Sequence, residues 1–136
     1  MKRIECVAVS LVAVMAVCAP ARANGRFPSS VSVHFRGGVR DDVFLGTTFG
    51  LLISHDDGAS FVWTCEQNIG YAGTFDPKYR VAVDGTIYAT TFDGLRISRD
   101  GGCSFELATE GMSSSPGYIA DTWIDALDVG SDGSVW

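Results

Sequence analysis

The chain has 136 residues, ten Lys and Arg against sixteen Asp and Glu, and a net charge of −6. That length suits one domain at most, the supply of Leu, Ile, Val and Phe excludes a disordered chain, and the acidic excess disfavours a general nucleic-acid binder. Sixteen glycines against four prolines indicate many tight turns rather than linkers.

The first predicted element is a secretory signal over residues 1–23. Lys2 and Arg3 form its positive start, Val7 to Val17 its apolar run, and Ala21-Arg22-Ala23 a small-x-small cleavage site before Asn24. The apolar run spans roughly 16 Å as a helix, about half a bilayer core, so a membrane anchor is disfavoured. Cys18 raises a lipoprotein signal as a rival, and Val17 is a poor residue to precede it. The expected destination is therefore the periplasm or the cell exterior, with no membrane insertion once the signal is removed. Removal takes Lys2, Arg3, Arg22 and Glu5, leaving seven basic and fifteen acidic residues and a charge of −8. Such a charge favours solubility and disfavours nucleic acid and anionic membranes. Cys6 and Cys18 leave with the signal, so Cys65 and Cys103 remain. Two cysteines in an exported chain allow one disulfide or two separate thiols. A bridge requires Cα atoms within roughly 7 Å, which sequence does not supply.

An internal repeat organises the rest. Residues 51–61 (LLISHDDGASF) and 95–105 (LRISRDGGCSF) share seven of eleven positions at an offset of 44. Upstream, Thr47-Thr48-Phe49 matches Thr90-Thr91-Phe92 at an offset of 43, which makes Asp93 an inserted residue. Downstream, Gly70-Tyr71 answers Gly117-Tyr118 at 47. A third copy begins where Val129 to Trp136 resembles Val81 to Tyr88.

Inside each copy the apolar period is two, the spacing of a half-buried strand. In the first copy this predicts strands over Val31 to Phe35, Val43 to Thr47, Leu51 to Ser54 and Ser60 to Thr64. In the second, Val81 and Val83, Ile87 and Ala89, Leu95 and Ile97, and Phe105 and Leu107 mark the four strands. Asp84-Gly85, Asp93-Gly94 and Asp100-Gly101-Gly102 supply the turns between them. A short turn around Ala120 to Leu127 is the one hint of a helical period. Four-stranded antiparallel units recurring at this period predict β-propeller blades. The fold class is thus all-β, a partial β-propeller of about two and a half blades. The domain runs over 24–136, with blades at about 31–66 and 79–110 and a third starting near 124.

Ser54, Asp56, Gly58, Ser60 and Phe61 fill the pattern S-x-D-x-G-x-[ST]-[WF], and Ser98, Asp100, Gly102, Ser104 and Phe105 fill it again. This resembles the Asp-box motif of sialidase-type (BNR) repeats, and the likeness covers nearly all of residues 31–136. It implies a structural turn between the third and fourth strands of each blade. The carboxylates of Asp56 and Asp100 are expected to accept N–H bonds within their own turns. Gly58 and Gly102 should permit a positive φ, while Phe61 and Phe105 should be buried between sheets.

The resemblance also raises a sialidase, whose family carries three arginines for the substrate carboxylate, a Tyr–Glu nucleophilic pair and an aspartic acid/base. Its F-R-I-P-like start is answered here only by Gly25-Arg26-Phe27-Pro28, with the letters out of order, so Arg26 reads as an ordinary residue in a flexible start. Arg96 and Arg99 flank a motif turn and should face solvent, as should His55 at a variable motif position. Asp41, Asp42, Asp121, Asp125 and Asp128 read as a solvated face. No zinc, nucleophile-elbow or phosphate-loop motif is present. Asp128 to Gly133 has only part of a calcium loop's lettering, with Gly130 at its third position. No metal, cofactor or catalytic residue is therefore assigned.

A non-catalytic binding or structural module is the favoured function, and a glycoside hydrolase is the alternative. The partner class is a protein, peptide or glycan. Tyr71, Phe75, Tyr118 and Trp123 are loop aromatics suited to such contacts, with packing under the connections as the competing reading. Closed propellers need roughly four to eight blades. An open stack forfeits roughly 12 kcal/mol of burial at its terminal sheet, so the chain is expected to be a piece of a longer protein, with self-association as the alternative.

Overall fold

The computed structural model describes residues 26–109 and 119–136. The expected signal, Cys6, Cys18, Gly117 and Tyr118 lie outside the described residues. The chain forms two four-stranded antiparallel sheets with the strands in sequence order. Sheet 1 holds β1 (Ser30–Phe35), β2 (Val43–Thr47), β3 (Gly50–Ser54) and β4 (Val62–Cys65). A single-turn helix α1 (Glu66–Ile69) follows, ended by Gly70 in the left-handed region. Sheet 2 holds β5 (Tyr79–Val81), β6 (Ile87–Thr91), β7 (Gly94–Ser98) and β8 (Glu106–Leu107). The fold is all-β. No helix among the described residues is long and apolar enough to cross a membrane.

Strand pairing fixes which residues face which neighbour. Phe44 pairs with Ile53 and Gly46 with Leu51, so these four share one face of sheet 1. That face meets Tyr79, Ile87 and Ala89 of sheet 2 in one buried cluster. Gly46 is required there, because a Cβ would lie 2.9 Å from the Tyr79 ring. Hydrogen bonds cross the junction as well. Thr64 Oγ1 donates to the Gly102 carbonyl at 2.8 Å, and Asn68 Nδ2 donates to the Cys103 carbonyl at 2.7 Å. The other face of sheet 2 carries a second cluster, in which Leu95, Ala108 and Leu127 gather Ile97, Ile119 and Ile124.

Three expectations from sequence are corrected. Thr47 pairs with Gly50 and Thr91 pairs with Gly94, so both central hairpins close on two residues. In each, the threonine Oγ1 donates to that glycine's carbonyl, at 2.8 and 2.7 Å. The offset is therefore 44 here too: Thr91, not Thr90, answers Thr47, and Asp93 is not an insertion. The first strand of sheet 2 ends at Val81. Val83 lies in a turn, where the Gly85 N–H donates to the Ala82 carbonyl and Asp84 accepts the Thr86 N–H. The 120–127 segment has a turn at its start and no helix.

The third copy has formed its first hairpin. Val129 and Val135 bridge as Val81 and Ile87 do. Gly130 N–H donates to the Ser134 carbonyl at 2.8 Å, matching Ala82 to Thr86 at 2.9 Å. Asp132 accepts the Ser134 N–H at 3.0 Å, matching Asp84 and Thr86 at 2.9 Å.

Candidate functional site

The two motif turns join β3 to β4 and β7 to β8, and share four side-chain hydrogen bonds between equivalent atoms. Ser54 Oγ donates to Asp56 Oδ1 at 2.7 Å and accepts the Gly58 N–H at 2.9 Å. Ser60 gives its N–H to Oδ1 at 2.8 Å and its Oγ–H to Oδ2 at 2.6 Å. In the second turn Ser98, Asp100, Gly102 and Ser104 repeat these bonds at 2.8, 2.9, 3.0 and 2.6 Å. Each carboxylate is thus surrounded by donors from its own turn. Those bonds, chiefly from Ser60 and Ser104, hold the Asp56 and Asp100 carboxyls down at about 2.

The turns differ in what lies beneath them. Gly102 (φ 90°) is pressed on sheet 1, where a Cβ would strike Ile53, whereas Gly58 (φ 83°) has only Phe61 near, at 3.8 Å. Phe105 is 9 % exposed and Phe61 39 %. Burial between sheets therefore holds for Phe105 and not for Phe61, whose side of sheet 1 has no neighbouring sheet among the described residues.

A polar cleft of about 200 Å³ opens where the first and third loops of each sheet meet. Arg36, Asp42, His55, Asp84 and Arg99 line it, with Gly101 of the second motif turn. Asp42 is buried rather than solvated. Its Oδ1 lies 2.6 Å from His55 Nδ1, and its Oδ2 3.5 Å from Arg36 Nη1. Because a carboxylate only accepts, the pairing places the proton on Nδ1 and leaves Nε2 as the outward atom. Arg36 is further held by donating its Nε–H to the Val83 carbonyl at 2.9 Å. Sequence reasoning missed this group because its members come from four separated loops.

Other assignments also change. Arg26 is no ordinary residue at a flexible start: it grips Asp76 through two bonds, at 2.6 and 2.9 Å. Arg96 is half-buried rather than solvent-facing, and its buried Nε lies beside Gly70, where a Cβ would come within 2.8 Å. Asp41, Asp121, Asp125 and Asp128 are exposed, and Asp128 accepts from Arg80 Nε at 3.1 Å. Tyr71 and Phe75 are buried, while Trp123 is exposed and packs on Phe92 with ring centres 5.6 Å apart. The hydroxyls of Tyr71 and Tyr79 are buried neighbours, and neither makes a hydrogen bond of good geometry. Burial pushes Tyr71 up to about 12 and Tyr79 further in the same direction.

Cys65 and Cys103 line one groove at the junction as separate thiols, Cys65 half-buried and Cys103 exposed. Among the described residues no three His, Cys, Asp or Glu side chains gather as metal ligands would. Comparison of the chain with family models, with curated proteins and with solved structures returned no match.

Proposed function

We propose that this chain is an exported Asp-box repeat protein of the β-propeller kind, acting as a non-catalytic binding or structural module. The observation that carries the reading is the pair of matching motif turns, in which each carboxylate accepts three bonds from donors of its own turn. Groups so engaged hold shape and have no spare basicity for proton transfer. The stacking of sheet 1 on sheet 2, together with the sequence repeat at an offset of 44, supports the radial arrangement. The apolar face left open on sheet 1 supports it too, since a disc places another sheet there.

The glycosidase alternative needs a general acid with a raised carboxyl and a partner carboxylate nearby. Asp56, Asp84, Asp100, Asp128 and Asp132 are displaced from ordinary values, and all five move down. A sialidase-type tyrosine nucleophile needs ready deprotonation. Tyr71 and Tyr79 lie close enough to feel Glu66, yet burial moves both the wrong way.

The test is turnover. Incubated with fluorogenic sialosides and neutral glycosides, the purified chain should release no more fluorophore than an Asp56→Asn/Asp100→Asn variant. Turnover that the double variant retains or loses would equally reject the non-catalytic reading. Export is tested separately, by fusing residues 1–30 to a reporter and sequencing the product. Its new N-terminus should be Asn24, and a reporter kept inside the cell would reject export.

A further inference from the structure

The junction cleft is one place where the two repeats differ in chemistry. At the offset of 44, Asp42 stands where the second copy has Thr86, and His55 where it has Arg99. The β1–β2 loop is also longer, running over 36–42 against 82–86 for β5–β6. Turn formation requires none of these changes. They place a buried carboxylate against a histidine and an arginine, as a support that holds both in position.

The donor and acceptor inventory of the cleft is specific. Asp42 occupies His55 Nδ1 and Arg36 Nη1, and the Val83 carbonyl occupies Arg36 Nε. Arg36 Nη2 and His55 Nε2 remain without protein partners among the described residues. Arg99 enters from the second motif turn and likewise has no acceptor among the described residues. The Gly101 N–H, at the cleft wall, also has none, whereas its counterpart Asp57 donates to the Asp41 carbonyl at 3.0 Å. Asp84 is the opposing group: its carboxylate lines the cleft and accepts the Thr86 N–H. Two carboxylates thus offset two guanidinium groups, so net charge alone attracts little to this site. What the cleft offers is two guanidinium forks beside one imidazole nitrogen that no protein group occupies among the described residues.

We propose that this cleft binds a small oxyanion that keeps a proton, of the hydrogen-phosphate type. The guanidinium groups of Arg99 and Arg36 take its charged oxygens, as planar forks do. The outward Nε2 of His55 accepts its P–OH. Sulfate has the same shape and charge but no such proton at neutral pH, so it leaves that nitrogen without a partner and pays the penalty of an unmatched polar contact. A volume of about 200 Å³ holds phosphate with room for a small substituent. The inference rests on reading the chain as a binding module.

Calorimetric or NMR titration of the full chain with inorganic phosphate, at neutral pH and fixed ionic strength, tests it. Phosphate should bind saturably and at least about fivefold more tightly than sulfate. Arg99→Gln should weaken phosphate about tenfold. His55→Phe should bring phosphate and sulfate to parity. Arg80→Gln, which removes an exposed arginine paired with Asp128 outside the cleft, should change neither. Unsaturable phosphate, parity with sulfate in the unaltered chain, or an equal loss in Arg80→Gln would overturn the proposal. The phosphate-to-sulfate ratio of the unaltered chain decides the matter even where a variant folds poorly. Glycoside turnover would reject the binding-module reading by itself, whereas silence in both assays would reject the oxyanion alone.

Discussion

Gly58 and Gly102 occupy the same motif position with nearly the same φ, 83° and 90°, and yet carry different constraints. A Cβ at either glycine meets the left-handed penalty, about 1 kcal/mol. Only at Gly102 does it also collide with a packed side chain, Ile53, inside a junction that includes the Thr64 bond. Gly102→Ala should therefore cost about 2–4 kcal/mol in urea unfolding, against about 1 kcal/mol for Gly58→Ala. Equal costs would mean that sheet 1 does not press on the second turn. The aspartates of these turns give a prediction in pH. Their folded carboxyls sit at about 2, below an ordinary value of about 3.9. A depressed carboxyl contributes stability that is full above the ordinary value and drains away as pH falls towards the folded one. The stability gap between the unaltered chain and Asp100→Asn should thus be constant above about pH 5 and shrink between about pH 4 and 2. Urea midpoints taken across that range measure it, and a gap that persists undiminished at the acid end would contradict the bonding described.

Hairpins are the elements in which sequence and structure agree most closely, because their information is local. Alternating apolar residues bounded by Asp-Gly and Gly turns locate all the strands of both sheets to within a few residues. Local information also misleads where two readings have the same period. Val81 and Val83 alternate like a strand, yet the Ala82 to Gly85 turn claims Val83. Doubled threonines let an offset of 43 match three of the four letters over 47–50, against two at an offset of 44. The buried bond from Thr91 to the Gly94 carbonyl selects the second offset. Removing that donor with Thr91→Val strands the carbonyl, and should cost about 1–3 kcal/mol; a neutral result would argue against the register. Helix α1 had a readable signal in Gly70, its left-handed cap, although four residues are too few for a period. The cleft had none. Arg36, Asp42, His55 and Arg99 are polar loop residues whose letters suit solvent, and only the packing of one sheet on the other brings them together. The same holds for Arg26 and Asp76, fifty residues apart.

At the scale of the whole molecule, the two sheets have the same construction and opposite surroundings. Val33, Leu45, Leu52 and Trp63 pair in succession across sheet 1, forming one apolar row from β1 to β4. In sheet 2 the corresponding row begins with Tyr79 and Ala89, and both are wholly buried against sheet 1. In sheet 1 its ends are open: Val33 is 52 % and Trp63 58 % exposed, with Phe35 beside them at 63 %. Equivalent positions should therefore respond differently to substitution. Tyr79→Ala removes a ring from a filled junction and should cost about 3–5 kcal/mol. Val33→Lys together with Phe35→Lys removes apolar surface that water already reaches, and should shift stability by about 1 kcal/mol or less. The same double substitution should lower the fluorescence of a dye that reports exposed apolar surface, such as ANS, by about half or more. If it instead costs as much stability as Tyr79→Ala, the outer face of sheet 1 is covered in solution.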